Sequence, residues 1–423
     1  MLKKVILLGL ALRLILAFWG QHSDIDTYYW WSKDLLINGM DGFYDRYITN
    51  TIRALYPPVT SYIFWFNGII HETIWKILWF INLKISFFPS NLIFWWESKF
   101  SWYYLNKLPA ILADIGIIYI LYKIVTLIKS RRLGIIAAGL FAFLPPFWYN
   151  SAVWGQIDSI YMLPVLLACY FLIKKNFYLP IIFYGLAVFT KPIVLFTAPI
   201  FLLWWLKGRS FREIFISILI ILGQVFLLYY PFHRQDTLVW AFQFYRRNLI
   251  GELHYINANA FNLWGLLFGF GEVSYKKLFL QIPLNLWGYL AYLLSLSLVI
   301  YKVVKSKIND PRYWFLAMAS SSFSAFMFLP AMHERYFYPA IVILVILVTL
   351  YKKLNKVFWP IVFIHLINLY HFWWYPRVAI LIKLFSNMYI ERLVVLINII
   401  LFYWLFSFTL SNNSKRRSYE AEK

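Results

Sequence analysis

The sequence predicts an all-α fold: a polytopic integral membrane protein of about 12 transmembrane helices, with interfacial helices in a long first outer loop. Three observations carry this reading. Of 423 residues, 62% are hydrophobic and only 14% charged, against roughly a quarter charged in soluble domains; a water-soluble core could not bury so much apolar surface. Apolar runs long enough to cross a bilayer recur along the chain. The basic residues punctuate the ends of those runs, as they do where short Lys- and Arg-rich loops stay cytoplasmic.

In chain order, Met1–Gly20 has the basic start and apolar centre of a signal peptide. It lacks small-residue cleavage chemistry around Trp19-Gly20 and further spans follow, so an uncleaved first helix is expected. A stretch over 21–103 is too charged to span (Asp24, Asp26, Lys33, Asp34, Asp41, Asp45, Arg46, Arg53) yet rich in Trp and Tyr, rings that favour the membrane–water boundary. Short helices on the outer surface are expected there, with the apolar pieces at 61–70 and 74–96 interrupted by His71-Glu72, Lys84 and Pro89. Further spans are expected at 104–127, 134–148, 157–173, 177–190, 192–206, 213–231, 282–303, 313–331, 337–351, 357–373 and 391–410. The pair flanking Lys191 is short for a full crossing. Residues 1–411 read as one membrane domain and 412–423 as a basic cytoplasmic tail.

The net charge of +22 raises nucleic acid as a partner, and its distribution argues against one. Clusters at Lys3-Lys4, Lys129 with Arg131-Arg132, Lys174-Lys175, Lys207 with Arg209 and Arg212, Lys302 to Arg312, Lys352 to Lys356 and Lys415 to Arg417 alternate with apolar runs. They mark the inner side and place both termini in the cytoplasm. The single cysteine, Cys169, lies in an apolar run, so neither a disulfide framework nor a zinc cluster is available.

This topology gives the unusual polar residues one address, on the outer side. Asp24 and Asp26 open the first outer loop and Tyr56-Pro57-Pro58 follows; next come Trp154-Gly155-Gln156-Ile157-Asp158 and Thr190-Lys191-Pro192. Asn257-Ala258-Asn259-Ala260-Phe261-Asn262 and Met332-His333-Glu334-Arg335-Tyr336 complete the set. Charged groups near membrane depth cost several kcal/mol unless paired or hydrated, so a shared polar cavity is expected. Such a cavity suits transfer of a sugar from a lipid phosphate. The acceptor hydroxyl needs a carboxylate to take its proton, for which Asp24 or Asp26 is available. The departing phosphate needs cations, for which Lys191, His333 and Arg335 are available. Gln156, Asp158, Tyr56, Asn259, Asn262 and Glu334 are left to bind sugar or acceptor. Each residue also has a plainer reading. Asp24 and Asp26 suit a helix N-terminus, Lys191 could snorkel to the interface, and His333-Glu334-Arg335 could be an ion-paired turn. Gln156 and Asp158 could bond neighbouring helices. A metal held by Asp24-x-Asp26 is not favoured, since such pairs are common and no further carboxylates cluster nearby; no cofactor is expected.

At these residues the chain resembles the GT-C superfamily of glycosyltransferases, nearest to the prokaryotic GPI mannosyltransferase II-like proteins. A more distant resemblance is to the ER glucosyltransferases of N-glycan precursor assembly. The resemblance is an ordered series over about residues 1–350. It runs through Ser23-Asp24-Ile25-Asp26 with Trp30-Trp31, Tyr56-Pro57-Pro58, Ile111-Leu112-Ala113-Asp114, Trp154 to Asp158, Thr190-Lys191-Pro192, Asn259 to Trp264, and His333 to Tyr336. It implies an inverting hexosyltransferase, mannose ahead of glucose, that draws on a polyprenyl-phosphate or dolichyl-phosphate sugar for glycan biosynthesis. The acceptor would be a lipid-linked or membrane-proximal glycan or glycolipid on the non-cytoplasmic face. The membrane would be the plasma membrane of a prokaryote, or the ER in a eukaryote. The family's base position matches Asp24, with Asp26 where relatives often carry a second acid; Lys191 and His333-Glu334-Arg335 match residues facing the donor phosphate. ER relatives often have Lys where Arg335 stands. The rival class is a transporter or flippase of lipid-linked sugars, which commonly shows two related halves; this sequence shows no such repeat.

Overall fold

The structure is a computed structural model that describes residues 1–249, 254–306 and 310–411; the basic tail at 412–423 and Lys307 lie outside the described residues. In chain order the helices are α1 (Leu2–Leu16), α2 (Ser23–Asn38), α3 (Pro58–Lys84), α4 (Asn91–Glu97), α5 (Lys99–Ile128), α6 (Arg131–Phe143) and α7 (Pro145–Trp148), continuing into a π-helical turn over Tyr149–Trp154. Then follow α8 (Asp158–Ile173), α9 (Leu179–Val188), a 3₁₀ turn over Pro192–Phe196, α10 (Ala198–Leu206), α11 (Phe211–Tyr229) and α12 (Thr237–Leu249). The remainder comprises α13 (Leu263–Phe268), α14 (Leu284–Ser306), α15 (Pro311–Phe328), α16 (Tyr338–Leu350), α17 (Asn355–Trp373), α18 (Ala379–Phe385) and α19 (Met388–Ser411). Strand structure among the described residues is four two-residue pieces: β1 (Asn257–Ala258), β2 (Leu278–Phe279), β3 (Ile282–Pro283) and β4 (Met332–His333). The all-α expectation holds.

Among the described residues four helices, α5, α11, α14 and α19, are individually long and apolar enough to cross a membrane. A fifth span arises if α6 and the segment Pro145–Trp154 are taken together, bent by 52° at Leu144. Only 6% of the most apolar window of α11 is buried, as expected of an apolar helix that turns much of its surface to lipid. The chain is a multi-pass integral membrane protein.

The helix boundaries follow local chemistry. Pro58 starts α3 at the position where a missing N–H costs nothing. Ser210 and Glu213 form a reciprocal capping box at α11, and the Asp310 carboxylate accepts the Arg312 N–H at α15. One expectation is corrected here. The 27-residue α3 runs unbroken through His71-Glu72, where an interruption was expected. His71 is buried, its ring stacked 3.9 Å from that of Trp102 and its Nε2 2.8 Å from the Trp96 carbonyl. A polar residue on the protein-facing side of a helix has partners and does not end it. The expected span at 192–206 divides into the 3₁₀ turn and the nine-residue α10, and α12, α13 and α18 are elements the hydropathy pattern did not foretell.

The chain packs into two compact units. The first comprises Met1–Ile120, Phe147–Pro192 and Arg209–Ile250. Its core is aromatic: Tyr28 and Trp31 of α2 meet Phe64 of α3, while Tyr44, Phe232 and Phe244 close the far end. Deeper, Asp114 of α5 accepts Arg13 Nε at 2.5 Å, Ser151 Oγ at 2.5 Å and the Ser159 hydroxyl. Arg13 and Asp114 are wholly buried, so this pair locks α1 and the π turn onto α5. The second unit comprises Leu121–Pro146, Ile193–Gly208 and Gly251–Lys423. Its centre is α15 packed along α16, both buried over almost their whole length.

Candidate active site

Asp24 lies in the first turn of α2, capped by His22: the Asp24 N–H donates to His22 Nδ1 at 3.0 Å. That nitrogen also lies 3.3 Å from Asp24 Oδ2. The Asp24 carboxylate receives Gln156 Nε2 and, at 3.3 Å, the Trp154 indole N–H, both on Oδ2. Both donors are wholly buried, whereas the Asp24 side chain is 27% exposed. The carboxylate is thus anchored from behind and open in front, the arrangement a general base requires.

The π turn sets these donors. A π-helical turn widens the coil by one residue, a distortion common at functional sites. It ends at Gly155, whose φ of +87° a side chain would strain. A Cβ there would also lie 3.0 Å from Ile25 and 3.1 Å from Lys107. Leaving the helix at Gly155, the chain brings Trp154 and Gln156 both to Asp24. The Tyr28 hydroxyl extends the network with long contacts of 3.4 Å to Gln156 Oε1 and to the Tyr56 hydroxyl.

Lys191 sits beyond Tyr56. Its Nζ is 2.6 Å from Asp158 Oδ1 and 5.5 Å from the centre of the Tyr56 ring. Asp158 also accepts Asn150 Nδ2 at 3.0 Å. The side chains are 4% and 0% exposed, so Lys191 does not snorkel to the interface. Asp26, two residues from Asp24, turns elsewhere: its Oδ1 takes Lys99 Nζ at 2.8 Å and the Tyr103 hydroxyl at 2.5 Å. Burial pushes this carboxyl up, but the Lys99 and Tyr103 hydrogen bonds outweigh it and hold the group below the ordinary Asp value.

In the second unit, β1 and β4 pair in parallel, with Asn257 opposite Met332 and Ala258 opposite His333, and Asn259 bridges to His333. This short ladder presents the His333-Glu334-Arg335 turn. Arg335 Nη1 donates to Glu334 Oε1 at 2.7 Å, and the Glu334 side chain is fully buried. Asn259, at a φ of +71°, is held by Asn368 Nδ2 on its carbonyl at 2.7 Å and by His371 Nδ1 on its Oδ1 at 2.9 Å. Asn262 accepts the N–H groups of Trp264 and Gly265 and donates to the Phe326 carbonyl. Its side chain is engaged at both ends in holding α13.

Over 213 residues the chain is 29% identical to GPI mannosyltransferase 1 of Dictyostelium discoideum. The matched stretch takes in 47% of this chain and 40% of that protein, so the chain spans less than half the length of its curated relative. The similarity agrees with the resemblance to GPI mannosyltransferases read from the motifs. Among solved structures the chain superposes on ArnT from Cupriavidus metallidurans bound to undecaprenyl phosphate, with a TM-score of 0.49 and 13% identity, covering 96% of this chain and 76% of that one. No family model matches the chain.

Of the residues nominated from sequence, the structure joins Asp24 to Gln156, Lys191 to Asp158 beside Tyr56, and His333 to Glu334, Arg335 and Asn259. It separates Asp26 from Asp24. Sequence reasoning passed over Tyr28, Asn150, His22 and the Trp154 side chain as contributors. The first lies in a run of aromatic residues and the last inside a nominated motif, so both had a signal. Nothing in the sequence marks Asn150 or His22.

Proposed function

We propose that the chain is an inverting GT-C glycosyltransferase that moves a hexose, mannose ahead of glucose, from a polyprenyl-phosphate donor to a lipid-linked or membrane-proximal glycan. The reaction is assigned to the non-cytoplasmic face of the membrane, and residues 1–411 act as one catalytic domain. The observation that carries the reading is the carboxylate of Asp24, pinned on Oδ2 by two buried neutral donors and accessible at its front. Two buried donors on one oxygen fix the orientation of the carboxylate, and its partial exposure lets an acceptor hydroxyl reach it. The similarity to a GPI mannosyltransferase supports the sugar and acceptor class.

In this reaction Asp24 takes the proton of the acceptor hydroxyl as its oxygen attacks the anomeric carbon. The bond from that carbon to the lipid phosphate breaks, and the phosphate leaves with the electron pair. His333 and Arg335 are assigned to the phosphate, where a guanidinium can give two parallel hydrogen bonds. The family resemblance also assigns Lys191 to donor phosphate, with its charge shared with Asp158. No metal or other cofactor is assigned.

The test is transfer of labelled hexose from a synthetic short polyprenyl phosphate to an acceptor by purified protein in detergent. Asp24→Asn keeps the shape and hydrogen bonds but removes the base, and is expected to cut kcat by about 100- to 10,000-fold with donor binding retained. Turnover near wild type would sink the base assignment. Sugar movement across a bilayer without product would favour a transporter.

A further inference from the structure

We infer that Lys107 is a positioning residue for Asp24: a buried cation that keeps the chain bearing the base in register with the chain bearing its two donors. The inference rests on the proposed catalytic reading. Lys107, on α5, is 1% exposed. Its Nζ lies 3.0 Å from the carbonyl of Ala17, 2.9 Å from that of Trp19, 2.8 Å from that of Gly20 and 2.9 Å from that of Val153. An ammonium has three protons, so four carbonyls surround it more fully than it can bond at any instant. A buried cation is usually compensated by a carboxylate; here four main-chain dipoles do so. That solution is worth its cost only if holding those four carbonyls matters.

The identity of the carbonyls says what is held. Three belong to the segment that leaves α1 and leads into α2, whose first turn carries Asp24. The fourth, Val153, directly precedes Trp154 and lies three residues before Gln156, the two donors on Asp24 Oδ2. One side chain therefore ties base and donors, which lie 130 positions apart in the chain. The lysine stem runs beneath Gly155, where an added Cβ would meet Lys107 Cγ at 3.1 Å. The missing Cβ is what lets the strap pass.

Lys107→Met keeps the stem and removes the charge. With the base displaced relative to the acceptor but the donor-binding groups retained, kcat is expected to fall by about 10- to 100-fold. The KM for a synthetic short polyprenyl-phosphate hexose should stay within about twofold, since uniform loss of binding is what raises KM. Lys107→Gln removes the charge but keeps two N–H donors for the carbonyls, and should show the same kcat-selective loss in milder form. Wild-type kcat in a folded Lys107→Met, or a loss confined to donor KM, would overturn the inference. Should Lys107→Met fail to fold, Lys107→Gln decides by the same criterion. Asp24→Asn is run alongside. If it turns over normally, the base assignment has failed; if it is dead while the Lys107 variants are normal, only the positioning role has.

Discussion

The Lys191–Asp158 pair gives a prediction that separates folding from chemistry. Two charges at 2.6 Å with an effective dielectric near 20 attract by about 6 kcal/mol. Desolvating them costs several kcal/mol each, so the pair as a whole contributes little net stability. Removing one partner is different. Lys191→Met leaves Asp158, fully buried, with the Asn150 amide at 3.0 Å to offset its charge, and should cost about 3–5 kcal/mol. Lys191→Met combined with Asp158→Leu removes both charges and should recover most of that loss. The assay is thermal unfolding in detergent, followed by size exclusion, for both single variants and the double. If Lys191 also serves the donor phosphate, the double variant regains stability but keeps a raised donor KM. A double variant no more stable than its worse parent would refute the coupling, and one with wild-type donor KM would refute the phosphate role.

Two further predictions follow from the geometry. Arg335→Lys keeps the charge beside the buried Glu334 but loses the forked geometry; losing one charge-assisted hydrogen bond of about 1.5–3 kcal/mol should raise donor KM by roughly 10- to 100-fold, read by initial rates at varied donor. An unchanged KM would remove Arg335 from the phosphate site. The Asp26 carboxyl is held below its ordinary value of 3.8, so its contribution to stability is present above that pH and lost as pH falls through the lower folded-state value. Asp26→Asn should therefore flatten the stability–pH slope below about pH 4. The effect is small because the side chain is 35% exposed, and a slope identical to wild type would contradict the pairing.

The helices were largely legible because their signals are local. Hydropathy located α5, α11, α14 and α19, and the starts made by Pro58, Ser210 and Asp310 rest on equally local chemistry. His71-Glu72 misled because hydropathy counts a polar residue against a span without knowing which side it faces. Stacked between the rings of Trp96 and Trp102, His71 is inside the protein. The candidate site was legible as residue types and not as partnerships. Asp24 and Asp26 are interchangeable in a linear motif, yet one faces Gln156 and Trp154 while the other faces Lys99 and Tyr103.

From sequence alone came the membrane as solvent, the all-α class and the suspicion that Asp24, Lys191 and Arg335 do chemistry. These rest on composition, on spacing along one chain and on residue types whose burial is expensive. Only the tertiary structure decided that Asp24 is the anchored carboxylate, that Lys191 is shared with Asp158, and that Lys107, unremarkable in its helix, sits in a cage of four carbonyls. The physical reason is that each pairing is made by helices packing across long sequence separations. Which groups must then satisfy one another is a property of the packed interior, where an unpaired charge costs several kcal/mol, and not of any local pattern.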